Sequence, residues 1–139
     1  MSYWRLYYHF VWATREREPI ITARVEERLF GYLIGKACAM NSIVHAVNAA
    51  GDHLHLVASI PPSVALSDFV ARLKGSSSHD LNEALLNGSF AWQARYGVIT
   101  FGERQLAWVV RYVREQKERH RDGAVVPALE KWEETIAAG

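Results

Sequence analysis

The order of elements in this sequence predicts an α+β fold: a ferredoxin-like β-α-β-β-α-β antiparallel sheet followed by an additional C-terminal helix. Three observations carry that expectation. Residues 3–14, 43–50, 53–60 and 98–101 are runs of aromatic, β-branched and other apolar residues, the composition of strands. Between them, apolar residues recur at steps of three and four, which is helical spacing. Gly51-Asp52 joins two of the strand runs directly and makes them a hairpin.

In chain order, Tyr3 to Thr14 reads as a long strand buried on both faces, and Arg15 to Pro19 as a charged connection. Thr22 is the expected N-cap of a helix running to about Asn41, with Val25, Leu29, Leu33, Ala37 and Met40 as its buried stripe. Glu26 and Glu27 in its first turns suit the positive end of the helix dipole. The hairpin follows, and Pro61-Pro62 ends it. A second helix begins near Ser67 and turns Phe69, Val70, Leu73, Leu81 and Leu85 to the core. Lys74 to His79 interrupts it with a glycine and three serines, poor helix formers where a helix should be strong. Asn87-Gly88 closes the segment. Val98 to Phe101 is a short fourth strand, and a third helix runs unbroken from about Glu103 to His120. Arg121-Asp122-Gly123 stops it, and Pro127 opens a last short helix through Trp132.

The 139 residues fit a single domain, 1–139, with 121–139 as a C-terminal tail. With 50% hydrophobic and 22% charged residues the composition is that of a soluble globular protein. A net charge of +1 excludes a bulk polycation, so nucleic-acid contacts would come from local Arg and Lys. The single cysteine, Cys38, cannot form an internal disulfide, and no apolar run is long enough to span a bilayer, so the expected location is the cytoplasm. Five Trp and six Tyr suit a core with a stacking surface for bases, although core packing alone would use most of them.

Within the third strand, His53 and His55 point to one face, and Leu54, Leu56, Ala58 and Ile60 to the other. The apolar face would pack under helices and leave the histidine face open. Two imidazoles side by side on a rigid strand offer two corners of a metal shell, but two ligands hold a cation weakly. Along the third helix, Trp108, Tyr112, Gln116 and His120 step at four-residue intervals beside the apolar face of Leu106, Val109, Val110 and Val113. Docked over the histidine face, Gln116 could give an amide oxygen to the ion, and Tyr112 a phenol to whatever the ion polarises. An ordinary amphipathic helix would show the same stripe.

The combination of His53-Leu54-His55, Lys74-Gly75-Ser76-Ser77-Ser78, Phe90-Ala91-Trp92-Gln93, Tyr96-Gly97 and Tyr112 to Lys117 with His120 resembles the single-tyrosine HUH transposases of small bacterial insertion sequences. These are the IS200-like transposases, relatives of the REP-associated tyrosine transposases. The resemblance runs from Tyr3-Trp4-Arg5-Leu6 to Pro127-Ala128-Leu129-Glu130, with the motifs in order. It implies a DNA nicking and joining enzyme in which His53, His55 and Gln116 bind a divalent metal, Mg²⁺ or Mn²⁺, and Tyr112 is the nucleophile. It also implies a homodimer acting on hairpin-containing single-stranded DNA, with the tyrosine helix serving its own subunit or its partner's.

Around this set, Lys74, Ser76, Ser77, Ser78, Arg72 and Arg111 are candidate DNA contacts, and Asp52, His45 and His120 candidate outer partners of the ligands. His45 is the first choice among the remaining strand histidines, since its strand pairs with that of His53. Metal-bound water, His120 or solvent could take the tyrosine proton. A catalytically silent, domesticated nucleic-acid-binding module of the same fold is the alternative, and a structural or regulatory metal-binding protein a third.

Overall fold

The computed structural model describes residues 2–132. Strand β1 (Tyr7–Ala13) is followed by helix α1 (Ala23–Ala39), strands β2 (Ile43–Ala49) and β3 (His53–Ser59), helix α2 (Leu66–Leu81), strand β4 (Gly97–Phe101) and helices α3 (Leu106–Arg114) and α4 (Gln116–Asp122). The strands form one antiparallel sheet in the order β2-β3-β1-β4. The chain has the expected α+β, ferredoxin-like arrangement. β1 and β3 share the centre, with Tyr7 opposite Ser59 and Ala13 opposite His53.

Alternation along the central strands divides the side chains into two sets. Phe10 and Trp12 of β1 and Leu54, Leu56 and Ala58 of β3 are buried with Val25, Leu29 and Leu33 of α1 and Phe69, Leu73 and Leu81 of α2. Each such side chain contributes ~1.5–3 kcal/mol on burial, so this face dominates stability. On the other face Ala46, Val57, Val109 and Val113 form a smaller buried apolar patch, through which α3 docks. Tyr7, Val11 and Ala13 of β1 share that face with the buried polar residues His9, His53, His55 and Ser59.

Local differences from the sequence reading have physical causes. β1 begins at Tyr7 rather than residue 3, and Tyr3 is exposed. α2 runs through Lys74–His79 without a break. There the Ser76 hydroxyl donates to the carbonyl of Arg72 and that of Ser77 to Lys74, so the serines bond their own helix. The third helix, expected as one piece, is two. Asn48 on β2 donates its amide to the carbonyls of both Val113 and Arg114 at 3.0 Å, drawing off acceptors that a continuous helix would use. Glu115 accordingly leaves helical geometry, with φ −93° and ψ 15°. After Gly123 the chain returns as a strap across the histidine face. Only Pro127–Leu129 is helical, one 3₁₀ turn anchored by buried Leu129, so no helix extends through Trp132. Residues 133–139 of the expected tail lie outside the described residues. Cys38 is exposed, and among the described residues no helix is long and apolar enough to cross a membrane.

Candidate metal and nucleophile site

The hairpin turn sets the first ligand candidate. Gly51 takes the positive φ of 76° that the turn requires, and Asp52 follows. One Asp52 oxygen accepts from Nδ1 of His53 at 2.7 Å, while Arg17 holds the other at 2.9 Å. His53 therefore carries a proton on Nδ1 and turns Nε2 away from the sheet. His55, with no exposed surface, turns its Nδ1 to Nε2 of His9 at 2.8 Å. Both ligand candidates thus direct Nε2 toward α3, α4 and the strap.

The strap delivers Glu130 onto them. Its Oε1 is 3.0 Å from Nε2 of His55, 3.0 Å from Nε2 of His120 and 3.4 Å from Nε2 of His53. Its Oε2 accepts from the phenol of Tyr112 and lies 3.4 Å from the amide nitrogen of Gln116. The amide of Val126 donates to the same phenol oxygen at 2.9 Å, and the Arg119 guanidinium lies 4.5 Å from the centre of the Tyr112 ring. Trp132 stacks on His53 and receives Arg17 on its face, closing the strap over the turn.

Charges respond to this packing. Burial works against the charge on Glu130, but hydrogen bonds from His53 and His55 outweigh it and hold the carboxyl well below its usual range. Burial likewise opposes a proton on His53, yet Glu130 and Asp52 leave its affinity above ordinary. Burial lowers His55. Burial, with the Glu130 hydrogen bond, pushes the Tyr112 phenol up to about 12, so it is protonated at neutral pH.

These groups fit a divalent cation. His53, His55, His120 and Glu130 each present a ligand atom, all within 4.8 Å of one another. The amide oxygen of Gln116 is buried without a hydrogen-bond partner among the described residues, an orphan worth ~1–3 kcal/mol that a cation would satisfy. A mixed imidazole and oxygen set suits Mn²⁺ better than Mg²⁺.

Of the residues singled out in the sequence, the structure brings together His53, His55, Tyr112, Gln116, His120 and Asp52. The histidine face is not open: α3, α4 and the strap bury it. His45 does not reach the ligands, since its ring bonds the Ser59 hydroxyl at 2.7 Å and packs on Tyr7. Lys74 and the serines sit on α2, across the sheet from the histidines. Lys74 donates to the carbonyls of Gln93 and Arg95, buried Ser77 accepts from the Trp92 indole, and Ser78 donates to the Phe90 carbonyl. Lys74, Ser77 and Ser78 tie the 90–95 loop to α2, so this stretch is a continuous, anchored part of the helix rather than an interruption in it. Arg72 and Arg111 are exposed on α2 and α3.

Sequence reasoning passed over Glu130, His9 and Arg119. His9 was within reach: in the sheet order, period-two alternation alone puts it on the face of His55. Glu130 carried no local signal, because its approach depends on how the strap folds back.

Comparison with known proteins follows the same outline. A family model described as "Transposase IS200 like" matches residues 2–116. The chain is 28% identical over 123 residues to the ISDra2 transposase TnpA of Deinococcus radiodurans, spanning 84% of this chain and 87% of that protein. It is 28% identical over 127 residues to the transposase for insertion sequence element IS200 of Salmonella typhimurium, 86% of this chain and 82% of the other. A crystal structure of a candidate transposase from Deinococcus radiodurans superposes with a TM-score of 0.68 at 27% identity, covering 84% of this chain and 95% of that one. A REP-associated tyrosine transposase bound to a REP hairpin shares the fold, with a TM-score of 0.64 at 17% identity over 100% of this chain and 97% of that chain.

Proposed function

This chain belongs to the IS200-like transposase family, and from that premise we propose that it cuts and rejoins single-stranded DNA through Tyr112 at a site that holds a divalent cation. One observation carries the reading: the phenol of Tyr112 and the imidazoles of His53 and His55 converge on a single carboxylate, that of Glu130.

His53, His55 and the amide oxygen of Gln116 would hold Mg²⁺ or Mn²⁺, with Glu130 and His120 in reach of the same ion. When bound, such an ion supplies positive charge against the scissile phosphate. The chain's own groups do the rest. The Tyr112 oxygen attacks phosphorus, the bond from phosphorus to the 3′ oxygen breaks, and the phenolic proton is balanced by the one gained by the released 3′-OH. A 5′-phosphotyrosine remains, storing the bond energy. Attack on it by another 3′-OH restores the phosphodiester and the phenol, so strands are joined without ATP. Arg119 over the Tyr112 ring favours negative charge developing on the phenol oxygen. The first proton acceptor in contact is Glu130.

The substrate that fits is a hairpin-containing single strand, a reading supported by the REP hairpin on the structural neighbour. Arg111, exposed one residue before Tyr112, is suited to a backbone phosphate. One chain supplies nucleophile and ligand candidates together, so in a homodimer the second copy would bring a second DNA end rather than complete the site. The work is done in the cytoplasm, as part of a single domain, 1–139.

The test is a nicking assay on hairpin-containing single-stranded DNA with Mn²⁺, comparing wild type with Tyr112→Phe. Wild type is expected to cut, to release the upstream fragment with a free 3′-OH and to stay attached to the 5′-phosphate of the downstream fragment on a denaturing gel, and Tyr112→Phe to bind without cutting. Binding without cutting by both proteins would replace this reading with a silent nucleic-acid-binding module. Metal uptake without DNA binding would replace it with a metal-binding protein.

A further inference from the structure

We propose that His9 is the positioning residue for His55, and that a cation loaded on His55 reverses the hydrogen bond between the two rings. The inference rests on the reading of His55 as a cation ligand, and it follows from counting protons.

His9 is 1% exposed and lies on β1 opposite Val57, one step diagonally from His55 on the same face of the sheet. Its Nε2 is 2.8 Å from Nδ1 of His55, with ring centres 5.0 Å apart. Such a contact needs one N–H and one lone pair. An ionised carboxylate only accepts, so Nε2 of His55, 3.0 Å from Glu130, carries a proton. A neutral imidazole has one proton, which leaves Nδ1 of His55 bare. His9 must then be the donor, through its own Nε2–H.

Coordination inverts each statement. A cation takes the lone pair on Nε2 of His55, so the proton moves to Nδ1, which becomes the donor. Nε2 of His9 must now accept, with its proton on Nδ1. Each ring keeps one proton, neither changes charge, and the bond survives with its direction reversed. His53 has no such freedom, because the Asp52 carboxylate against its Nδ1 can only accept. One ligand candidate therefore has a fixed outer partner and the other an adaptable one. A carboxylate in place of His9 could not donate before loading, and an apolar residue could not accept after it.

The experiment is long-range ¹⁵N–¹H spectroscopy of the histidine rings in the whole chain, with Zn²⁺ as a diamagnetic probe. His9 and His55 are both expected as Nε2–H forms before the ion is added, and both as Nδ1–H forms after it. A His9 ring that stays put while Zn²⁺ shifts His53 and His55 would overturn the inference alone. A chain that takes up no Zn²⁺ would overturn the cation reading with it. Calorimetric titration with Mn²⁺ gives an independent arm. His9→Phe should bind about tenfold more weakly, while His9→Gln, whose amide both donates and accepts, should stay within about threefold of wild type. Equal affinity of His9→Phe and wild type, or equal loss in both variants, would sink the idea, since either makes His9 packing alone.

Discussion

The Tyr112 phenol donates its hydrogen bond to the carboxylate of Glu130, a residue eighteen positions further along the chain. That contact joins the ends of two elements with no sequence signal in common, the last turn of α3 and the returning strap. It keeps the nucleophile candidate protonated and screened. Glu130 also lies between the imidazoles and the phenol, the place a scissile phosphate must share or take.

Removing the carboxylate should therefore release the phenol. In Glu130→Ala the Tyr112 pKa falls from about 12 toward the ordinary value near 10, because the burial and the hydrogen bond that raise it are both reduced. The difference in phenolate absorbance between variant and wild type during alkaline titration checks this. An unchanged titration would mean that burial by α3 alone sets the value.

Stability should fall in mild acid through His9. Burial, with His55 nearby, depresses its pKa to about 3 in the folded chain, against 6.5 for a free imidazole. Below pH 6.5 the unfolded chain binds a proton that the folded chain refuses, so this contribution is complete above pH 6.5 and is lost progressively as pH falls toward 3. Between pH 7 and pH 5 the loss from this group is about 2 kcal/mol. Urea unfolding at the two pH values should show that decrement in wild type and lack it in His9→Gln. Parallel decrements in both proteins would assign the effect to other groups.

Lys74 and Arg111 should separate by salt dependence. Lys74→Met removes a half-buried ammonium that ties Gln93 and Arg95 to α2, and should lower stability by about 1–3 kcal/mol while leaving the salt slope of DNA binding unchanged. Arg111→Ala should leave stability unaltered and reduce that slope by about one unit. Binding measured across a salt series, beside urea melts, distinguishes them. A smaller slope in Lys74→Met would restore it as a phosphate contact.

Gly97 should control the strap. A β-carbon there would stand 1.8 Å from the backbone oxygen of Lys131, a clash with main chain rather than with a flexible side chain. Gly97→Ala should weaken docking of residues 126–132 by about 1–3 kcal/mol, which is about fivefold or more in local opening. Hydrogen exchange at the Val126 amide, which bonds the Tyr112 phenol, is the readout. Wild-type exchange there would show that the strap is held from the His53 and Trp132 end instead.

The elements were legible where one local rule dominated. The period-two pattern of His53 to Ile60 and the Thr22 cap with its Val25-Leu29-Leu33 stripe both correspond to the structure. Reading failed where a distant side chain settled a local conformation. Asn48 divides the third helix from across the sheet, and Phe90 and Trp92 bond to Ser78 and Ser77 on α2, which a run of serines read alone cannot disclose. At the site, the histidine pair and the Tyr112–Gln116 stripe were visible as periodicity. Glu130 was not, because its carboxylate arrives by a fold-back that no helical or strand repeat encodes.

The two sides of β3 carry different burdens. Leu54 and Leu56 secure the chain against α1 and α2, whereas His53 and His55 contribute little to that side. Mutational drift can thus erase the imidazoles, or the phenol above them, and leave a descendant that still folds. Such lineages would keep a shape able to grip nucleic acid long after losing the capacity to break it, so inheritance of the scaffold is no measure of retained mobility.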